Sequence, residues 1–202
     1  MEPYKKFDLK EFILLSKNIN LFQGSGGNFS FKENNKIFVT PSGYSVQKSI
    51  QQKIFLDFKI EDIINLVSSR KELKQKNTAY RPSIETYFHA LIPKKYVLHF
   101  HPVNLLSDLC SKDFSHQPSP LFSYVEYFKP GLELSIEINN IEKLEKIILL
   151  KNHGVIISGE SFNEINKQLI NLFKYFNKPI NEKYNFINNT YSRKLKNDIS
   201  FY

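Results

Sequence analysis

Two apolar runs, KIILL at 146–150 and GVIIS at 154–158, are joined by the tetrapeptide KNHG at 151–154. So short a link suits antiparallel neighbours, because parallel strands need a crossover of about a dozen residues or more. A second pair lies upstream. NFSFK and KIFVT flank ENN and read as a β-hairpin, ended by the turn PSG at 41–43. Helical stripes fall between these strands. Asp8 and Glu11 have the spacing of a capping box. Leu9, Phe12, Ile13 and Ile19 predict a helix over roughly 9–19, broken by GSGGN at 24–28. A short strand is expected at 54–57, with a helix after Lys59. Pro82 and Ser83 open another helix, proline suiting its start and serine its free N–H groups. Ile84, Tyr87, Phe88 and Leu91 form its apolar stripe and Pro93 stops it. There follow the strand YVLHFH, a helix near 103–110, an irregular polar stretch over 111–123 and a last helix over about 161–176. Hairpins interleaved with helices exclude a purely parallel sheet. They predict an α/β domain in which helices cover a mixed sheet.

The 202 residues suit one domain, 1–202, with a polar, weakly patterned tail from about 177. The net charge of +8 favours anionic partners. Acids are interleaved with the lysines, however, and no run resembles a nucleic-acid arm, so no nucleic-acid partner is expected. The single cysteine, Cys110, excludes an intrachain disulfide and a cysteine zinc site. It follows an apolar stretch and is expected as a small core residue. The N-terminal MEPYKKFDLKEF lacks the apolar stretch of a signal peptide, and no segment has the length of a membrane span. A cytoplasmic protein with no membrane partner fits this pattern.

The strand YVLHFH carries the chemistry. On a strand, positions i and i+2 share a face, roughly 6.5–7 Å apart. His99 and His101 then project together with Phe100 opposite, whereas on a helix they would diverge by about 200°. Two imidazoles so placed can converge on one metal ion. In isolation the same pair fits two polar rings on the wet face of an edge strand. His153 adds weight, because it sits in the turn between two apolar strands, where Gly154 lets the backbone bend. Three imidazoles would leave a fourth metal position open for water or substrate. Glu85, near the start of the preceding helix, is a helix-start charge, a partner for His89 four residues on, or a base beside the metal. A base of that kind needs its pKa brought towards neutrality. His89 reads as a supporting or structural histidine, and His116 as exposed. SGGNFS and TPSG are glycine-bearing turns that can offer backbone N–H groups to an anion.

SGGNFSFKENNKIFVTPSG, RPSIETYFHALIPKKYVLHFHPV and KNHGVIISG, in this order, resemble the class II aldolase/adducin family over roughly residues 10–175. That family includes fuculose-phosphate and rhamnulose-phosphate aldolases and ribulose-phosphate 4-epimerase. RPSIET…HALIP looks closest to the aldolase modules of rhamnulose-phosphate-aldolase-like proteins. The resemblance implies a three-layer α/β/α fold around a mixed, largely antiparallel sheet. It also implies a homotetramer with active sites at subunit contacts. It makes His99, His101 and His153 the ligands of a divalent metal, usually Zn2+ and otherwise Mn2+ or Co2+. Glu85 becomes the catalytic carboxylate, close to the ion until substrate displaces it. Gly27, Asn28, Ser42, Gly43 and Ser83 match positions that bind the substrate phosphate.

The implied activity is that of a zinc-dependent aldolase, an aldehyde-lyase that makes or cleaves a carbon–carbon bond in a sugar phosphate or related ketose. A sugar-phosphate 4-epimerase and a keto-acid-phosphate decarboxylase share the same site. A non-catalytic adducin-like module is the alternative of another class. Two departures stand out. Family aldolases often read Pro-Ser-Ser-Glu, where this chain reads Pro82-Ser83-Ile84-Glu85. The family's general-acid tyrosine falls in a segment that does not align cleanly, which leaves Tyr127, in YFKPG, and Tyr124 as candidates.

Overall fold

The structure, a computed structural model, describes residues 9–74, 79–111, 114 and 119–178. His116 and most of the expected tail lie outside the described residues. In chain order the elements are α1 (Lys10–Ser16), β1 (Asn28–Glu33), β2 (Lys36–Val39), α2 (Val46–Gln51), β3 (Leu56–Lys59), α3 (Ile60–Ser68) and α4 (Thr86–Leu91). They continue with β4 (Tyr96–Phe100), α5 (Val103–Leu109), β5 (Ser123–Val125), α6 (Leu132–Asn139), β6 (Ile147–Leu150), β7 (Gly154–Gly159) and α7 (Phe162–Tyr175). The described residues form one sheet of seven strands in the order β3-β2-β1-β4-β7-β6-β5. Every pairing is antiparallel except β5 with β6, so the sheet is mixed and largely antiparallel as expected.

Strand alternation divides the core into two faces. Phe29, Phe31, Tyr96, Leu98, Phe100, Leu149 and Val155 pack with α1, α2, α5 and α7. Val97, Ile148, Leu150 and Ile156 pack with Phe88 of α4 and with Leu134 and Ile138 of α6. Ile37, Val39 and Phe58 meet α3 on that second side. Helices therefore cover both faces, giving three layers. Phe29, Phe31, Phe88 and Phe100 are fully buried, each worth roughly 1.5–3 kcal/mol over exposure.

Several expectations need correction. The first helix stops at Ser16, and Ile19 is 77% exposed beyond it, because Asn18 turns the chain with its own side chain and carbonyl. The helix expected from Pro82 begins at Thr86. Ser83 instead holds a turn, its Oγ accepting from the Glu85 N–H and its carbonyl from Thr86. Ile84 falls in that turn, 62% exposed, and is no part of the apolar stripe. Cys110 is exposed at the end of α5 rather than in the core, since the buried positions of that helix are Leu105 and Leu109. β4 is a central strand flanked by β1 and β7, so its histidine does not sit on a wet edge.

Candidate active site

The site forms where β4 ends beside the β6–β7 turn and the start of β1. Alternation along β4 sends Phe100 into one core layer and His99 to the other, where His99 is fully buried against the edge of Phe88. His101 follows on the same side, its Nε2 3.1 Å from that of His99. Antiparallel pairing of β4 with β7 sets Phe100 opposite Val155, which brings His153 to the same spot. Ligand nitrogens of His99, His101 and His153 lie within 4.8 Å of one another. Gly154 serves closeness, not bending. A Cβ there would sit 2.7 Å from the Phe100 carbonyl oxygen and 2.8 Å from the His101 ring. The left-handed residue of this turn is Asn152, at φ 54°.

Glu85 reaches the same point from the helix layer that covers this face, at the N-cap of α4. Its Oε1 lies 3.0 Å from His153 Nε2 and 3.3 Å from His99 Nε2. Its Oε2 accepts a 2.9 Å bond from Asn28 Nδ2, which also donates to Ser83 Oγ at 3.0 Å. The Asn28 carbonyl oxygen faces His89 Nε2 at 2.8 Å, and His89 Nδ1 faces Ser30 Oγ at 2.8 Å. An amide oxygen only accepts, so His89 carries its proton on Nε2 and fixes which way the Asn28 amide points. His89 is fully buried, and burial first, then His99, holds its pKa well below the usual value despite Glu85. It is a neutral supporting residue, and no ion pair with Glu85 forms.

Electrostatics keep the carboxylate ionised. Burial alone would raise the Glu85 carboxyl. The charge of His99, hydrogen bonds from His153 and His99, and the charge of His153 outweigh burial and hold the carboxyl well below the usual range. The shift towards neutrality expected for a base is therefore absent in this arrangement. Burial, then His99 and His153, pulls His101 down to about 4, so its imidazole is neutral at pH 7.

These residues fit a divalent metal. His99 Nδ1 donates to the Val155 carbonyl at 3.0 Å, which turns Nε2 towards His101 and Glu85. Facing imidazole nitrogens 3.1 Å apart, beside a carboxylate oxygen, form a donor set of the kind that holds a divalent cation. His153 Nδ1 is also buried without a hydrogen-bond partner among the described residues.

A cleft of about 560 Å³ opens onto this cluster. Gly27, Asn28, Ser42, Gly43 and Ser83 line it with Glu85, His101 and His153, so all five positions matched to phosphate binding converge. Gly27, at φ 79°, is confined to glycine by the His99 carbonyl, which a Cβ would meet at 2.5 Å. Both Asn28 amide hydrogens are directed at Glu85 and Ser83, so Asn28 acts here on the carboxylate first. The tyrosines are not brought in. Tyr127 is 56% exposed and Tyr124 lies on β5 beside Phe114, and neither lines the cleft. Arg81 does line it, a residue that sequence reasoning passed over. Its signal was adjacency: it directly precedes the Pro-Ser-Ile-Glu segment.

Residues 11–176 match the family described as the Class II Aldolase and Adducin N-terminal domain. An L-fuculose phosphate aldolase of Methanococcus maripaludis is 28% identical over 161 residues, covering 78% of this chain and 87% of that protein. YuxG of Bacillus subtilis, named as an uncharacterised oxidoreductase, is 26% identical over 201 residues, covering 85% of this chain. The match spans only 29% of YuxG's length. The N-terminal class II aldolase domain of a conserved Thermoplasma acidophilum protein superposes with a TM-score of 0.67 at 23% identity, over 84% of this chain and 92% of that one. The match over most of its length, with the shared fold, shows that this chain belongs to the class II aldolase and adducin family.

Proposed function

We propose that the chain is a metal-dependent lyase that makes or cleaves a carbon–carbon bond in a sugar phosphate or related ketose. One observation carries the reading. Three imidazoles from two separate parts of the sheet cluster together, and two of them, His99 and His153, meet a buried carboxylate at 3.0–3.3 Å, at the floor of an open cleft. His99, His101 and His153 would hold the ion. Bound there, a divalent metal, zinc by the family resemblance, supplies Lewis acidity that polarises a substrate carbonyl. Glu85 is the base. In the condensing direction it takes a proton from the carbon beside the carbonyl, and in cleavage it returns that proton. Asn28 holds Oε2, and Oε1 faces the imidazole cluster. Ser83 Oγ already accepts two hydrogen bonds, so its own O–H is available to donate to a substrate oxygen. Gly27, Ser42 and Gly43 form the wall that faces an anionic end. Tyr127 is given no step, because its ring does not line the cleft. Assembly as a tetramer belongs to the same reading and is supported by the resemblance alone.

The test is a product assay on zinc-loaded protein with a panel of ketose phosphates. An aldehyde plus a three-carbon ketone phosphate is the expected result. An intact five-carbon isomer identifies an epimerase and carbon dioxide a decarboxylase, and either outcome replaces the aldolase assignment. A protein that binds no divalent metal supports the non-catalytic module instead.

A further inference from the structure

Among the described residues that line the cleft, Arg81 is the only lysine or arginine. It is fastened to the opposite wall at two points. The Ser42 N–H donates to the Arg81 carbonyl at 2.9 Å, and Arg81 Nη2 donates to Ser42 Oγ at 3.2 Å. That clamp sets the guanidinium beside the turn of Ser42 and Gly43. No carboxylate among the described residues pairs with it, so its charge and most of its five N–H donors remain unspent. On the same rim, Ile84 exposes an aliphatic side chain where family aldolases often carry a serine hydroxyl.

We infer that Arg81 binds the anionic end of the substrate and replaces the hydroxyl lost at Ile84, which makes this chain selective for a phosphate monoester. The inference rests on the lyase reading above and names the group that its substrate must carry. A guanidinium offers a planar fork of donors that matches two phosphate oxygens, and it carries a full charge that a serine does not. Gly43, at positive φ and with open space where a Cβ would project, leaves the adjoining wall free of a side chain, so the phosphate can approach the backbone closely. Ile84 then supplies an apolar edge and no donor.

The experiment titrates inorganic phosphate into the zinc-loaded full chain by calorimetry, which reads binding without turnover. Arg81→Gln is expected to weaken binding at least about tenfold, as loss of a charge-assisted pair implies. Lys129→Gln is the control, because Lys129 is an exposed cation of the neighbouring cleft beyond Ile84 and Pro130. It should change affinity less than about twofold, the scale of a screened surface charge. Ile84→Ser placed in the Arg81→Gln background should recover part of the loss. Unchanged binding in Arg81→Gln, equal losses in both single variants, or no phosphate binding by the parent would each overturn the assignment. Turnover separates it from the lyase reading. Phosphate binding through Arg81 without cleavage of any ketose phosphate defeats the lyase reading alone. Turnover in which Arg81→Gln keeps the parent preference for dihydroxyacetone phosphate over dihydroxyacetone defeats the Arg81 assignment alone.

Discussion

The two ends of α4 each bury an ionisable group, and they differ in what those groups have left to give. At the N-terminal end Glu85 shares Oε1 with two imidazoles and Oε2 with Asn28. Around it the Ser83 O–H and an orphaned His153 nitrogen remain unspent among the described residues. At the C-terminal end Lys32 Nζ donates to the carbonyls of His89, Ile92 and Lys94 at 2.5, 2.7 and 3.1 Å. An ammonium has three donors, and a helix end leaves carbonyls without partners. The C-terminal end is therefore saturated, and the N-terminal end is not. The difference separates a structural cap from a reactive site: both hold an ionisable group away from bulk water, but only one retains capacity for a ligand.

His101→Ala should break the reactive end most severely. Metal content should fall to background and turnover by about a thousandfold, the several kcal/mol that a metal's charge contributes. Stoichiometric zinc in that variant, measured by elemental analysis, would remove the basis for treating this end as a metal site. Glu85→Gln sharpens the contrast by sparing the imidazoles. Zinc should stay bound while turnover falls about a hundredfold or more, the usual range for a lost base. Parent-like rates would show that the carboxylate only stabilises the helix start.

Lys32→Met addresses the saturated end, with the smallest effect. Three carbonyls would lose their shared donor, at a cost of about 1–3 kcal/mol in denaturant unfolding, with zinc content unchanged. This end also has a pH signature. Burial lowers the Lys32 ammonium to about 7, against an opposing pull from Glu160, while an unfolded lysine titrates near 10.5. Between those values the unfolded chain binds more protons than the folded one, so stability rises with pH across that window. The variant should lose that rise. A variant that keeps the rise would place the titration elsewhere.

Much of this architecture was legible in the chain because it rests on local pattern. The hairpins, the strand YVLHFH and the last helix follow from periodicity and turn residues, and the His-X-His spacing already implied two rings on one face. α6 escaped because Leu132, Leu134, Ile136 and Ile138 alternate like a strand. The helix nevertheless buries both sets, Leu134 and Ile138 against one cluster and Leu132 and Ile136 against another. β5 escaped because three residues carry too little pattern, and its parallel partner lies more than twenty positions away.

The amino-acid order alone determined the hairpins, the strand YVLHFH and the last helix, and that two imidazoles share a face, since these depend on neighbours within a few residues. Only the folded chain decided that His153 and Glu85 join them, that Gly154 is there to make room, and that Arg81 rather than a tyrosine enters the cleft. Those outcomes depend on strand register and layer packing, which bring together groups separated by dozens of residues and so leave no local periodic signal.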